Sequence, residues 1–304
     1  MRVCVTGGAG FIGSHTVEAL VRSGHEVVVL DNLSTGDRES LGDLPVELIV
    51  GDIRDAGAVR ESLRGANSVI HFAGYISVPG SIADPVGSSE INLVGTAQVL
   101  AEAERAECGR IVFASSAAVY GDVATSPVLE STAKKPTSPY GVQKLAGEHL
   151  CRVSSLNGGP DALSFRFFNV YGERQSIDSD YAAVVPIFRD RCRRGLPLRI
   201  YGDGKQTRDF VHVKDVAEAM VRAVEADGRF NGTALNLARG ESTTIEELAR
   251  TMGGVAGVEA VIEFADPRPG DIRHSVADLT ELRARLGWSP ATSLVEGLRF
   301  SFSD

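Results

Sequence analysis

Short apolar segments alternate with amphipathic segments through the first half of the chain. Strand-like apolar runs are found at 2–6, 26–30, 46–50, 68–73, 110–115 and 162–167. Segments with helical periodicity lie between them, at 14–23, 55–64, 88–107 and 140–155. Strands that alternate with helices in this way form a parallel sheet covered by helices. The pattern predicts an α/β fold with a doubly wound parallel sheet, where ligands bind beyond the carboxyl ends of the strands.

The pattern changes after about residue 170, where loops lengthen and arginines become frequent. Helices are predicted at 183–194, 214–226, 243–253 and 278–285, and two short strands at 198–201 and 234–237. We therefore expect a larger domain over 1–170 and a smaller C-terminal lobe over 171–304. The boundary is soft, because the chain can cross back to the first domain.

A glycine loop joins the first strand to the first helix. Its sequence is Gly7-Gly-Ala-Gly10-Phe-Ile-Gly13. Glycines in this position let the backbone approach a pyrophosphate, and the helix N-terminus offers unpaired N–H groups to the negative charge. The second strand ends at Asp31, where a carboxylate can bind the adenosine ribose and repel a 2′-phosphate. These features predict a Rossmann domain over 1–170 that binds NAD rather than NADP.

A tyrosine and a lysine four residues apart form the second chemical pattern. Tyr140 and Lys144 fall on one face of the predicted helix 140–155. A nearby ammonium can lower the pKa of a tyrosine, which can then take a proton from a sugar hydroxyl. Ser115 and Ser116 end the preceding strand; Ser116 is the predicted catalytic hydroxyl and Ser115 its structural neighbour. The predicted catalytic residues are therefore Ser116, Tyr140 and Lys144.

Seven segments together resemble the extended short-chain dehydrogenase/reductase superfamily, and within it the UDP-sugar 4-epimerases. They are residues 6–14, 51–55, 115–121, 138–144, 166–172, 202–212 and 268–271. The resemblance covers essentially the whole chain and implies a tightly bound NAD. The cofactor contacts that it implies, together with those predicted from the glycine loop and the catalytic residues, are Gly7, Gly10, Phe11, Ile12, Gly13, Asp31, Asn32, Asp52, Ile53, Phe72, Ala73, Gly74, Asn92, Tyr140 and Lys144.

The same resemblance implies a UDP-sugar substrate bound largely by the C-terminal lobe. Asn169, Arg208 and Arg268 are expected at the diphosphate, Asp271 at the uridine ribose and Tyr201 on the uracil. The remaining expected substrate contacts are Ser77, Val78, Ser116, Arg174 and Val185. Arg174 has two open interpretations, which are contact with a C6 carboxylate and a surface ion pair with Glu173 or Asp178.

The residues after Ser116 bear on the type of reaction. Related dehydratases and decarboxylases carry acidic residues there, whereas this chain has Ala117 and Ala118. The resemblance therefore implies epimerisation at C4 through a 4-keto intermediate, with UDP-glucose, UDP-N-acetylglucosamine and UDP-glucuronate all open as substrates. Another nucleotide-sugar oxidoreductase, such as a 4-ketosugar reductase, is the alternative. A homodimer formed through the helices 88–107 and 140–155 is also implied.

Composition excludes several other classes. The net charge is −9 over 304 residues, which argues against nonspecific nucleic-acid binding. No apolar run approaches the roughly 20 residues that span a bilayer, and the chain begins at once with a strand rather than a signal peptide. The four cysteines are scattered without metal-ligand spacing. We expect a cytoplasmic protein without a membrane segment or a metal site.

Overall fold

Helices and strands alternate along the first half of the chain. The computed structural model describes residues 1–123, 126–177, 183–267 and 272–302. Its strands are β1 Arg2–Thr6, β2 Glu26–Asp31, β3 Glu47–Val50, β4 Ser68–His71, β5 Arg110–Ser116, β6 Asp161–Phe167, β7 Asn169–Tyr171, β8 Leu198–Tyr201, β9 Thr207–Arg208, β10 Phe210–His212, β11 Thr233–Leu237, β12 Thr243–Thr244 and β13 Ile262–Ala265. Its α-helices are α1 Phe11–Arg22, α2 Ala56–Ser62, α3 Val78–Ala83, α4 Pro85–Ser89, α5 Thr96–Arg105, α6 Pro139–Leu156, α7 Val184–Arg193, α8 Val213–Glu225, α9 Ile245–Ala256, α10 Thr280–Leu286 and α11 Leu294–Phe302.

The main sheet has seven strands in the order β11-β6-β5-β4-β1-β2-β3. Each neighbouring pair of strands in this sheet runs parallel from β6, through β5, β4, β1 and β2, to β3. The residues of β1 and β2 are buried on both faces, which explains their continuous apolar sequences. The predicted doubly wound α/β sheet is confirmed. Because the strand order reverses between β1 and β4, a crevice forms at their carboxyl ends.

Two compact units divide the chain. The first comprises residues 1–121, 132–167 and 216–235, and the second comprises 122–131, 168–215 and 236–304. A cluster around Leu30, Val69 and Ile111 forms part of the core of the first unit. A separate cluster around Phe188, Leu248 and Met252 forms the core of the second. Each unit therefore has its own hydrophobic core.

The predicted helix 88–107 differs most from the observed structure. It is three elements: α4, a π-helix over Glu90–Gly95, and α5. Helix α4 starts earlier than predicted because Pro85 follows Asp84, whose carboxylate accepts from Gly87 N at 2.9 Å. The wider π turn rotates the side chains that follow it, so one helical periodicity cannot describe the segment.

The strand predicted at 234–237 also has a different position from the one expected. The change of pattern after residue 170 predicts it in the C-terminal lobe, but β11 is the outermost strand of the main sheet and pairs with β6. The sequence of β11, Thr233-Ala-Leu-Asn-Leu237, has no feature that indicates its partner strand. A periodic pattern predicts that a strand is present, but it does not predict which strand it pairs with.

Helix α6 carries three buried polar side chains along one face. The helix begins at the cap Ser138, whose hydroxyl accepts from Gly141 N at 3.2 Å, and Pro139 occupies the first turn. Tyr140, Lys144 and Glu148 follow at intervals of four, and all three are buried. The spacing stacks them along one face of the helix.

The buried His71 gives the protein an acid-sensitive group. Its ring bridges the hydroxyls of Thr6, at 2.6 Å, and Thr96, at 3.0 Å. Burial, with a contribution from the charge of Lys144, lowers the pKa of His71 to about 3. The folded protein therefore keeps His71 neutral where the unfolded chain protonates it, below a pKa of roughly 6.5.

We expect the free energy of unfolding to fall as the pH drops from about 6.5 towards 3, by roughly 1.4 kcal/mol per pH unit from His71. The His71 contribution is fully present above pH 6.5, because the unfolded state is then also neutral. Urea unfolding at a series of pH values measures the slope. A His71→Gln variant, which cannot titrate, should have a shallower slope, and an unchanged slope would contradict the assignment.

Candidate active site

The glycine loop between β1 and α1 is packed too closely for larger residues. Gly7 has a φ of +72°, and a Cβ there would lie 2.7 Å from the backbone nitrogen of Ala73. A Cβ on Gly13 would lie 2.0 Å from the carbonyl oxygen of Gly7. Helix α1 begins directly after Gly10, and no side chain of the described residues caps it. The first-turn N–H groups of α1 are thus available to an anion.

Asp31 lies at the carboxyl end of β2 with both carboxylate oxygens engaged. They accept hydrogen bonds from the backbone nitrogens of Ala9 and Leu33, each at 2.9 Å. These bonds hold the carboxylate beside the glycine loop. Because each oxygen has two lone pairs, the group can still accept from a bound hydroxyl.

Asp52 and Asn32 form a second polar group in the same crevice. Asn32 donates to Asp52 at 3.2 Å, and Arg54 donates to both carboxylate oxygens. The Arg54 guanidinium lowers the pKa of Asp52 to about 2. Asp52 is therefore ionised across the physiological range.

These groups line one cleft of about 220 Å³ within the first unit. The predicted cofactor residues that line it are Gly7, Gly10, Phe11, Ile12, Gly13, Asp31, Asn32, Asp52, Ile53, Phe72, Ala73, Gly74, Tyr140 and Lys144. Lining residues that the sequence analysis missed include Ser34, Thr35, Tyr75, Ile76, Ile91 and Phe167. Ser34 and Thr35 could have been found from their position just after Asp31, since parallel strands present ligand-binding groups at their carboxyl ends.

Asn92 lies behind the cleft wall rather than in it. In the π-helix, its amide donates to the Tyr75 carbonyl at 2.9 Å and accepts from the Tyr75 nitrogen at 2.8 Å. Its second N–H donates to Gln143 at 2.7 Å. The resemblance implies Asn92 as a polar anchor near the cofactor, and it is not among the lining residues. The structure places it as a support for the backbone of Tyr75.

Tyr140, Lys144 and Ser116 come together at the carboxyl end of β5. The Lys144 ammonium donates to the Ala114 carbonyl at 2.9 Å and lies 5.9 Å from the centre of the Tyr140 ring. The turn that follows Ser116 packs against the start of α6, because a Cβ on Gly141, the residue after Tyr140, would lie 2.7 Å from the Ala118 carbonyl oxygen. Burial lowers the pKa of Lys144 to about 8, so the amine is still largely protonated at neutral pH. The group pairs a phenol with a neighbouring cation and a hydroxyl, as proton transfer requires.

The expected direction of the Tyr140 pKa shift is wrong for this structure. Burial raises the pKa of Tyr140, and the opposing effect comes from the hydrogen bond with Ser116. The reason is that the phenol is removed from water, which disfavours the phenolate.

The segment after the cleft wall forms a short helix that was not predicted. Ser77 caps α3, and its hydroxyl accepts from Gly80 N at 2.9 Å. Val78 begins α3 and is exposed. Neither residue lines the cleft, whereas Tyr75 and Ile76 do. The structure thus places these two predicted substrate contacts beside the cleft.

A second cavity, of about 390 Å³, lies within the second unit. It brings together four predicted substrate residues: Asn169, Val185, Tyr201 and Arg208. Two further arginines line it, Arg191 and Arg199, together with aromatic side chains. Of the three arginines in this cavity, only Arg208 lies in a motif that the resemblance covers. A cavity with guanidinium groups and aromatic rings suits a phosphorylated ligand with a planar base.

Arg174 does not line this cavity. It is exposed, in a turn with a φ of +60°. Glu173, one of its two suggested ion-pair partners, contacts Lys214 and His212. The predicted contacts Arg268 and Asp271, and Asp178, lie outside the described residues.

Metal-ligand clusters and membrane-spanning helices are both absent from the described residues, 1–302 with three internal gaps. Within those residues, no group of three or more His, Cys, Asp or Glu side chains is arranged to hold a metal ion. The same part of the chain contains no helix with the length and hydropathy needed to cross a bilayer.

Comparisons with known proteins converge on one group. Residues 3–238 match a family described as the NAD dependent epimerase/dehydratase family. A UDP-glucose 4-epimerase of Mycolicibacterium smegmatis is 38% identical over 304 residues, covering 98% of this chain and 96% of the relative. The structure resembles UDP-glucose 4-epimerase of Thermus thermophilus in complex with NAD, with 39% identity, a TM-score of 0.90 and coverage of 100% and 98%. It also resembles UDP-glucose 4-epimerase of Thermotoga maritima with UDP-glucose, with 34% identity, a TM-score of 0.94 and the same coverage.

Proposed function

This chain belongs to the NAD dependent epimerase/dehydratase family, and we propose that it is a UDP-hexose 4-epimerase that uses NAD and passes through a 4-keto intermediate. One observation carries the proposal. The glycine loop and the pair of Tyr140 and Lys144 line the same cleft of the first unit. A dinucleotide bound there lies beside a group that can move a proton, which is the requirement for oxidising and re-reducing a sugar carbon.

The residues of the cleft fit NAD. The close packing at Gly7 and Gly13 admits a pyrophosphate against the backbone, and the uncapped α1 offers N–H donors to it. Asp31, Asp52 and Ile53 line the same cleft, and we assign the Asp31 carboxylate to the adenosine ribose and the other two residues to the adenine. When bound, NAD supplies the acceptor and donor of hydride at C4.

The protein's part in the reaction is to move a proton at the C4 hydroxyl. We assign the proton transfer to the Tyr140 oxygen, with the Ser116 hydroxyl beside it and Lys144 as the nearby cation. Tyr140 takes the proton as the phenolate in the oxidation and, as the phenol so formed, returns it in the reduction. The loss of water around the phenol prevents escape of the proton to solvent.

The cavity of the second unit is proposed to hold the UDP moiety. Asn169 and Arg208 are assigned to the diphosphate, with Arg191 and Arg199 adding positive charge, and Tyr201 to the uracil. Strong binding of the nucleotide retains the 4-keto sugar while the hexose rotates to present its other face. The hexose itself must be held loosely enough to present either face.

UDP-glucose/UDP-galactose is the proposed substrate pair, with UDP-glucuronate/UDP-galacturonate as a second candidate. Ala117 and Ala118 supply no acid or base beside the ring, so a uronate would not be assisted towards decarboxylation. If Arg174 binds that carboxylate, an Arg174→Ala variant would bind UDP-glucuronate more weakly and would bind UDP-glucose as well as the unmodified protein does.

The experiment that tests the function needs no added cofactor. The purified protein is assayed for bound NAD and then incubated with UDP-glucose, UDP-N-acetylglucosamine and UDP-glucuronate in parallel, with products separated by chromatography. Conversion without added NAD supports the epimerase. Dependence on added NAD(P)H would instead support a 4-ketosugar reductase, and bound NAD without any conversion would contradict both.

Asp31 is expected to set the choice of cofactor. Asp31→Ala should weaken NAD binding by roughly 10- to 100-fold, because a hydrogen bond to a charged group is lost. It should also reduce the preference for NAD over NADP. Affinities for both nucleotides, measured on cofactor-depleted protein, test this. Asp43→Ala removes an exposed carboxylate and serves as the charge control. An unchanged NAD/NADP ratio in Asp31→Ala would assign the ribose contact to another residue.

A homodimer is proposed through the outer face of α6. Val142, Val153 and Leu156 lie on one side of this helix and are each more than half exposed. Sedimentation velocity should give twice the chain mass of 32.2 kDa, and Val153→Arg should give the single-chain mass. Val258→Arg, at an exposed valine of the second unit, should leave the dimer intact. A single-chain mass for the unmodified protein would refute the dimer.

The four cysteines favour a reducing compartment. Cys4, Cys108, Cys151 and Cys192 are all free and buried. Free buried thiols are typical of cytoplasmic proteins, and we propose that location.

A further inference from the structure

A buried ion pair lies directly behind the catalytic groups. Arg166 of β6 donates to both carboxylate oxygens of Glu148, at 2.9 and 2.7 Å. Glu148 is one turn beyond Lys144 on the same buried face of α6. The pair therefore joins the helix that carries Tyr140 and Lys144 to the carboxyl end of β6 in the main sheet.

Two further groups extend this pair to the segment that contains Ser116. The Ser115 hydroxyl donates to Glu148 Oε1 at 2.5 Å, and Arg166 Nη1 donates to the Tyr120 hydroxyl at 2.8 Å. The Arg166 guanidinium also lies 5.0 Å from the centre of the Tyr120 ring. Ser115 and Tyr120 flank Ser116 on both sides in sequence, so the segment is held at two points around it.

The position of Ser116 depends on that segment. Ser116 ends β5 and caps the short 3-10 helix Ala117–Val119, accepting from Ala118 N at 3.2 Å. The same turn packs against the start of α6, because a Cβ on Gly141, the residue after Tyr140, would lie 2.7 Å from the Ala118 carbonyl oxygen. Ser116 and Tyr140 therefore stay beside each other only if the turn and the helix keep their relative position.

We infer that Glu148, Arg166 and Tyr120 are positioning residues that hold the segment of Ser116 against the helix that carries Tyr140 and Lys144. The inference rests on the proposed function for its catalytic meaning. None of the three is assigned to substrate or cofactor. They act through the backbone of Ser115 and through the 3-10 turn that Tyr120 ends.

The chain contains a matched comparison on the same two strands. Arg110 is the first residue of β5 and Asp161 the first of β6, and their side chains form another buried ion pair at 3.3 Å. This pair lies at the amino ends of the strands, away from the cleft at their carboxyl ends. Its loss should affect stability without affecting Ser116.

The test compares Glu148→Gln with Asp161→Asn, each of which replaces a buried, arginine-paired carboxylate with its amide. Tyr120→Phe is the milder third variant, because it removes one hydroxyl and keeps the ring. We expect Glu148→Gln and Tyr120→Phe to lower kcat by roughly 10- to 100-fold, as displaced catalytic groups do, with KM for the UDP-sugar changed less than about twofold. Asp161→Asn should keep the kcat of the unmodified protein.

A second readout does not require activity. In protein labelled with ¹³C at the tyrosine ring carbon that bears oxygen, the resonance of Tyr140 reports the surroundings of its hydroxyl, including the position of Ser116, and is assigned by its absence in Tyr140→Phe. We expect the resonance to move in Glu148→Gln and Tyr120→Phe and to stay in place in Asp161→Asn. If Glu148→Gln does not fold, Tyr120→Phe decides the matter.

The outcomes separate the two proposals. An unmodified protein that converts no UDP-sugar refutes the proposed function, and the resonance of Tyr140 still tests the positioning. Unchanged kcat and resonance in Glu148→Gln and Tyr120→Phe overturn the inference. An equal loss of kcat in Asp161→Asn would also overturn it, because the effect would then follow from general destabilisation.

Discussion

Replacing Tyr140 with phenylalanine is expected to lower kcat by roughly 10²- to 10⁴-fold, the usual contribution of a positioned proton-transfer group. The ring remains, so its packing in the cleft and the bond from its backbone nitrogen to the Ser81 hydroxyl at 3.1 Å are kept. The amount of bound NAD should therefore be unchanged. Turnover of the UDP-sugar and NAD content per chain are the two measurements.

Tyr171→Phe is the matched control for this variant. Tyr171 is a buried tyrosine of the second unit, and its hydroxyl donates weakly to the carbonyl oxygens of Ser293 and Leu294, at 3.5 and 3.4 Å. Its variant should retain kcat. Near-normal turnover in Tyr140→Phe would remove Tyr140 from the chemistry.

Gly13→Ala is expected to abolish NAD binding, the largest effect of any single methyl group in the cleft. The added Cβ would lie 2.0 Å from the Gly7 carbonyl oxygen and 2.8 Å from the Cα of Gly8. Both neighbours are backbone atoms, so the loop must move away from the helix to admit the methyl group. Overpacking of this kind costs about 1–3 kcal/mol of stability, and the displaced loop no longer matches a pyrophosphate.

Gly254→Ala is the control that tests whether the loss of NAD binding is specific to the glycine loop. Gly254 is also in a helix, α9, and a Cβ there meets no atom within 4 Å. That variant should keep its NAD and gain up to about 1 kcal/mol from the better helix propensity of alanine. NAD content measured on both purified proteins, with urea unfolding, gives the comparison. A Gly13→Ala protein with full NAD content would show that the loop tolerates a larger residue.

The sequence predicts the parts of the fold that local periodicity determines. The strand expected at 198–201 is β8, and α6 covers the predicted helix 140–155 with one extra residue at each end. The π-helix within 88–107 was missed because it continues directly into α5 and the sequence does not mark the change of turn. The π-helix is held by side chains packed against it, including Gln143, which accepts from Asn92 at 2.7 Å. Contacts between distant residues carry no periodicity.

The same distinction applies to the candidate site. The glycine loop and Asp31 were predictable because strand, turn and helix are consecutive in sequence. The role of Asn92 was not, because it depends on Tyr75, seventeen residues away. The hydrogen bond of Ser115 with Glu148 likewise joins residues 33 apart and could not be predicted from local sequence.

Strand β11 has a consequence for how the chain is made. Because β11 pairs with the outer side of β6, the long strand β6, which is buried in the complete chain, forms an edge of the sheet until the ribosome has added residue 237. An unpaired strand edge is a template for association with other chains. During synthesis, the nascent first unit therefore passes through a stage prone to aggregation, and a fragment that ends at 170 would stop permanently at that stage.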